Sequence, residues 1–282
     1  MYRLMDEFLS IFTDSHVHIG TDETPEECYR QAIASAGAED VIVDSASSED
    51  QISGLDSERR DIANSTTPRD MFSKWVNTMH QHITETHPGK QIVMWDEALK
   101  VGPPLESSVI QVWHEGGDVL KEAYDRGYKI LYSPQGKPHD WYLDHLDVSW
   151  EEAYTNPVIP EFASKENRSQ FIGGEGCMWG ETVDASDFES TVWPRLSAIS
   201  ERLWAPAGVT DAAKALPRLK EWRCLMLTRG VGVNPLGVPG RSAPIYDDFD
   251  MSCGAVPEHS EYGEIQKIYA HGEYGETQSI YV

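Results

Sequence analysis

Residues 14–23 read DSHVHIGTDE, and the place given to this stretch decides the fold. His16 and His18 are two apart, so on a strand they share one face. That spacing suits a pair of metal ligands at the first strand of a barrel of about 250 residues. Asp22 and Glu23 follow at the strand's end, where adjacent carboxylates suit acid/base chemistry. In that case the strand belongs wherever such a pair is needed, and the barrel has to be counted from another point.

Surrounding segments show what kind of strand this is. The apolar positions Leu4, Phe8, Leu9 and Phe12 form a helical stripe before it. After it, TPEECYRQAIASAG opens on Thr24 and Pro25 and closes on Gly37, as a helix does. DVIVDSAS suggests a short strand, and residues 45–68 are polar and irregular. PRDMFSKWVNTMHQHITETHPG reads as a helix stopped by Pro88-Gly89. Strands are expected at QIVMWDEAL, SVIQVWHE, YKILYSP and QFIGGEGCMWGE, with a helix at DVLKEAYDRG. STVWPRLSAISERLWAP is expected to be one amphipathic helix, and residues 211–229 another. Strands alternating with helices indicate parallel α/β units.

Bulk properties narrow the function classes. The 282 residues can bury a large core, and a hydrophobic fraction of 40 % with 25 % charged residues fits a globular protein. Lys and Arg number 23 against 47 Asp and Glu, a formal charge of −24. Such a balance argues against nucleic acid or an anionic membrane as partner, because phosphate contact needs a cationic surface. MYRLMDEFLSIF lacks the basic and apolar regions of a signal peptide, and no run approaches the roughly eighteen apolar residues of a membrane span. Compartment stays open between cytoplasmic and a processed secreted form. Cys28, Cys177, Cys224 and Cys253 show no C-x-x-C spacing and read as buried free thiols.

The metal reading needs further His and Asp ligands at later strand ends. Those ends carry Trp95, Trp113 and Trp179 instead. Only His114 follows a clear strand; His80, His82 and His87 fall on a helix, where positions two apart point to different faces. A metal-dependent amidohydrolase using His16 and His18 therefore stays as the alternative. Tryptophans at successive strand ends point to a sugar pocket, where indoles stack on apolar ring faces and carboxylates take hydroxyls.

With those residues in view, the chain resembles the family-20 glycoside hydrolases, the β-N-acetylhexosaminidases. HIGTDE is similar to their H-x-G-G-D-E motif at the end of barrel strand four. VMWDE and VIQVW resemble the tryptophan motifs of strands five and six, and WYLD the Tyr-Leu-Asp after strand seven. GGEGCMWGE with VWPRLSAISERLW resembles the strand-eight segment and its helix. The resemblance covers residues 1 to about 206, with the motifs in the family's order.

It implies a substrate-assisted, retaining hydrolysis of terminal β-linked N-acetylglucosamine or N-acetylgalactosamine, without metal or cofactor. Glu23 would protonate the leaving oxygen and then deprotonate water. Asp22 would accept the acetamido N–H, and Tyr142 would hold the acetamido oxygen for attack. Trp95, Trp113 and Trp179 would wall the sugar, with Trp150 a further candidate, and Asp144 and Glu181 would bind hydroxyls. Plainer roles stand beside these. Asp22 and Glu23 could be an acidic pair at a helix entry, Glu97 a cap, and Trp113 a core residue. His18 would orient the carboxylates, while Arg195, Glu201 and Arg202 would form structural ion pairs.

Two departures from the family pattern carry expectations. Thr21 stands where the motif has its second glycine, a change that a strand-end backbone is expected to accept. Strands one to three, with their sugar-binding arginine, have no counterpart before residue 14. The expected architecture is thus an α/β, partial TIM-like barrel over residues 1–250 with a β-rich tail at 251–282. Bare edge strands would invite aggregation, so a homodimer is expected, with residues 41–68 and the tail covering edges. The rival is a sugar-binding remnant that does not catalyse.

Overall fold

A computed structural model describes residues 2–38, 67–114, 117–136, 139–206 and 208–236. The expected strand in DVIVDSAS, the irregular stretch after it and the tail at 251–282 lie outside the described residues. The chain divides into two compact units, Met1–Ile110 and Gln111–Val282.

In the first unit, helix α1 (Tyr2–Ile11) precedes strand β1 (His16–His18), then come α2 (Glu26–Ala38), α3 (Pro68–Thr86) and β2 (Gln91–Trp95). Thr67 and Asp70 form a reciprocal capping box at the start of α3, and Pro68 occupies the first turn, where its missing N–H costs nothing. Phe72, Val76, Met79 and Ile83 recur every three or four residues and are buried. β1 pairs in parallel with β2, Val17 opposite Ile92. Every residue of β2 after Gln91 is buried, as in a strand covered on both faces.

Strand β3 (Ser108–Val112) runs from the first unit into the second. Then follow α4 (Gly117–Asp125), β4 (Lys129–Tyr132), α5 (Trp150–Thr155), β5 (Phe171–Gly174), α6 (Phe188–Val192), α7 (Arg195–Trp204) and α8 (Ala212–Thr228). The sheet order is β1-β2-β3-β4-β5, the chain order, which is what successive βα units produce. β4 and β5 are parallel, with a register irregularity between Ile130 and Leu131. Trp141, Leu143, Val148, Val192, Ile199 and Leu203 form one apolar cluster of this unit. Trp150, Tyr154, Ala198, Ala215, Leu219 and Leu236 form another.

Three expectations are corrected here. STVWPRLSAISERLWAP is not one helix: Pro194 has no N–H to give, and the segment breaks into α6 and α7 around it. Helix α5, capped reciprocally by Ser149 and Glu152, was not expected, because its six residues, under two turns, are too few for a periodic signal. The cysteines are not uniformly buried thiols. Cys28 is free and exposed, Cys177 is free and buried, and Cys224 is disulfide-bonded.

Among the described residues no helix is long and apolar enough to cross a membrane.

Candidate active site

Each unit carries its own group of the expected residues. In the first, the β1 ladder runs past the strand: Ile19 N–H donates to Val93 O at 3.0 Å and Trp95 N–H to Gly20 O at 3.0 Å. The backbone then turns sharply, with φ +79° at Gly20, +95° at Thr21 and +32° at Glu23. A β-branched residue at positive φ is a steric outlier, so Thr21 is not the easy replacement expected of it. Its position demands what glycine gives without strain.

Four contacts hold this turn. His18 Nδ1 accepts from Gly20 N–H at 2.9 Å. Thr21 Oγ1, buried, donates to Trp95 O at 3.2 Å. Glu23 N–H donates to Glu97 Oε1 at 3.2 Å, and the His18 and Trp95 rings lie 5.1 Å apart. Asp22 and Glu23 are exposed on this fixed loop, while Asp96 and Glu97 are buried in the 3-10 turn after Trp95. Helix α2 begins only at Glu26, with Glu26 and Glu27 in its first turn, so Asp22 and Glu23 lie outside it. His16 pairs with its neighbour Ser15 at 3.0 Å. Among the described residues, neither His16 nor His18 belongs to a group of three or more metal-ligating side chains close enough to share an ion.

In the second unit, Tyr142 forms an isolated parallel bridge with Cys177. Leu143 N–H donates to Cys177 O at 2.7 Å and Cys177 N–H to Trp141 O at 3.0 Å. Asp140 accepts from Tyr142 N–H at 2.8 Å and pairs with His145 Nδ1 at 2.6 Å, and the Tyr142 and His145 rings stack. Trp113, the residue after β3, places its ring 6.4 Å from that of Tyr142. Asp144 Oδ1 accepts from Trp179 N–H at 3.3 Å, and the Trp179 residue is 40 % exposed, enough to offer a ring face. Glu181 is exposed two residues on. Burial first, then the neighbouring Cys177 and the charge of Glu175, push the Tyr142 phenol far up. It stays a proton donor at any physiological pH.

Arg195, expected in an ion pair, also serves backbone carbonyls. Its guanidinium donates to the carbonyls of Leu143, of His145 at 2.6 Å and of Thr191 at 2.9 Å, fastening the loop that follows Tyr142. Glu201 pairs with Arg218. Trp150 is built into the core: it is buried among Ala198, Ala215 and Leu219, and its indole donates to Leu236 O at 2.9 Å.

A sequence profile described as glycosyl hydrolase family 20, catalytic domain, matches residues 1–207. The chain belongs to family 20. Beta-hexosaminidase 3 of Arabidopsis thaliana is 37 % identical over 168 residues, covering 58 % of this chain and 30 % of its own. Beta-hexosaminidase subunit B2 of Dictyostelium discoideum is 34 % identical over 244 residues, covering 83 % of this chain and 38 % of its own. The chain thus spans well under half the length of these relatives. A chitobiase structure from Flavobacterium johnsoniae matches with a TM-score of 0.58 at 23 % identity, over 82 % of this chain and 32 % of that one. The exo beta-N-acetylglucosaminidase structure from Vibrio harveyi matches at 0.60 and 19 % identity, over 83 % of this chain and 35 % of that one. At such identities the structures speak for the α/β fold.

In this family-20 chain, sequence reasoning missed the residues behind Tyr142. Glu175 Oε1 accepts from Cys177 Sγ at 3.4 Å and from Gln111 Nε2, which also donates to Ser133 Oγ at 3.0 Å. The signal was present in GGEGC: a carboxylate beyond β5 between glycines that leave no room for a side chain.

Proposed function

We propose that this chain acts as an exo-β-N-acetylhexosaminidase, hydrolysing terminal β-linked N-acetylhexosaminides with retention through the substrate's own acetamido group. The observation that carries the reading is the pair of exposed carboxylates on a loop pinned by His18, Thr21 and Glu97. Glu23 gives a proton to the leaving oxygen and later takes one from water. Asp22 accepts the acetamido N–H and offsets the positive charge that grows as the ring closes. Tyr142, protonated, donates to the acetamido oxygen and holds it for attack, which supplies orientation rather than charge. Trp95, Trp113 and Trp179 pack the sugar, and Asp144 and Glu181 accept from its hydroxyls.

The finer architecture belongs to the same proposal. We read β1 to β5 as strands four to eight of a (β/α) barrel, on the order of the motifs. A second copy of the chain is the partner proposed, supported by the apolar side chains of α1 that stand exposed, Leu4 and Ile11 above all. Light scattering that finds an active monomer ends the dimer reading.

Release of a chromophore from an aryl β-N-acetylglucosaminide tests the activity, with wild type and Glu23→Gln compared with and without chelator. Turnover that survives chelation and collapses in the variant supports the proposal. Loss on chelation with recovery on zinc addition would favour a metal hydrolase. Sugar binding without turnover in wild type would favour a non-catalytic lectin-like chain.

A further inference from the structure

Tyr142 has a task that its surroundings make difficult. To hold a carbonyl oxygen its hydroxyl must point at the ligand, yet a carboxylate stands nearby, and a carboxylate is the stronger acceptor. The chain resolves this with a sulfur atom between them. From the last residue of β5 onward, residues 174 to 177 alternate in direction. Gly174 and Gly176 turn towards Trp141, Leu196 and Ile199, where a Cβ at Gly174 would lie 2.7 Å from Trp141 Cζ3 and one at Gly176 2.9 Å from Leu196 Cδ1. Glu175 and Cys177 share the opposite face, beside Tyr142.

The thiol of Cys177 donates to Glu175 Oε1 at 3.4 Å. That carboxylate oxygen also accepts from Gln111, itself bonded to Ser133. Both lone pairs of that oxygen are therefore engaged. The parallel bridge between Tyr142 and Cys177 sets the thiol beside the phenol, near enough to act on its ionisation. Among the described residues, the acceptor that the bridge sets beside the Tyr142 O–H is that sulfur, and sulfur is a weak one. Little is lost when the hydroxyl swings to a carbonyl oxygen brought by a ligand.

We propose that Glu175 and Cys177 are positioning residues. Glu175 orients the Cys177 thiol, and the thiol keeps the Tyr142 hydroxyl available as a donor to the acetamido oxygen. No covalent step is involved, and the sulfur stays reduced and unreactive. The inference rests on the hexosaminidase reading for the identity of the ligand, but the Glu175–Cys177–Tyr142 arrangement does not.

The test joins kinetics with the infrared S–H stretch of Cys177, in a Cys28→Ser background that removes the exposed free thiol, with the band assigned by its loss in Cys177→Ala. In Glu175→Gln the neutral amide accepts more weakly, so the band moves to higher frequency. With an aryl N-acetylglucosaminide, kcat falls roughly ten-fold while KM hardly moves, because the contact tightens only as the oxygen attacks. Cys177→Ser places a stronger acceptor beside Tyr142 and lowers kcat with the fold retained, which keeps the proposal testable should Glu175→Gln not fold. An unmoved S–H band, or active variants with wild-type kcat, overturns the proposal. If wild type turns over no hexosaminide, the function reading fails by itself, and the band shift still decides the network.

Discussion

Replacing Thr21 tests whether the loop carrying Asp22 and Glu23 is strained. Thr21 is buried with φ at +95°, and its hydroxyl donates to Trp95 O at 3.2 Å. Holding a residue with a Cβ at such a φ costs about 1–3 kcal/mol. The hydroxyl returns about 1 kcal/mol and the buried methyl about 0.8 kcal/mol. Thr21→Ala discards both returns and keeps most of the strain, so it should destabilise by about 1–2 kcal/mol. Thr21→Gly discards them too but releases the strain, less about 0.5–1 kcal/mol for glycine's greater freedom when unfolded. Glycine should therefore be more stable than alanine by about 1 kcal/mol, the reverse of the usual order. For a chain of this size that is about 2–4 °C in Tm, read by calorimetry on the three proteins side by side. Thr21→Ala melting at or above Thr21→Gly would refute the strain argument. Turnover gives a second check, since glycine adopts the same angles and should leave Glu23 in place.

Three further outcomes are expected. His80 is buried against Ser107 Oγ at 3.0 Å and Ser108 Oγ at 3.2 Å, and burial lowers its pKa below the ordinary histidine value. The unfolded chain then takes a proton below about pH 6.5 that the folded chain refuses. Stability is full above that pH and falls as the pH drops, and His80→Gln should lose less Tm than wild type between neutral and mildly acid buffer. Equal losses would assign the acid sensitivity elsewhere. Arg195→Met leaves the carbonyls that the guanidinium serves without their donor, a cost of about 3 kcal/mol, visible in denaturant titration as a lower midpoint at unchanged slope. Gly174→Ala sets a Cβ against the Tyr132 carbonyl and Trp141, and overpacking of about 3 kcal/mol should show as reduced Tm and proteolytic resistance. Wild-type resistance in that variant would mean that the strand end can move.

The parts that the sequence announced are those governed by local rules. A period of three to four carried α3, and a run of buried apolar residues carried β2, because burial of one face or both is written in residue order. Motif order placed Asp22, Glu23, Tyr142, Asp144 and Trp179 as candidates, and the family assignment followed from the same stretches. Histidines two apart in HVH gave a louder local signal than the carboxylates, but spacing alone says nothing of third and fourth ligands.

Contacts far apart in sequence decided the rest. Trp150 looked like a platform and became core, since only the packing of α5 against α7 and α8 closes over it. Arg195 looked like half of an ion pair, and nothing local shows that its guanidinium also reaches carbonyls some fifty residues away. Thr21 looked tolerable because φ is not visible in a residue name. Glu175 looked like no more than part of the strand-eight segment and Cys177 like a buried free thiol, and their bearing on Tyr142 arises from the bridge that sets Cys177 beside it. Residue type and order fixed which groups are present and on which element. Which of them meet, and in what state each is held, depended on the backbone turns and buried contacts that only the folded chain creates.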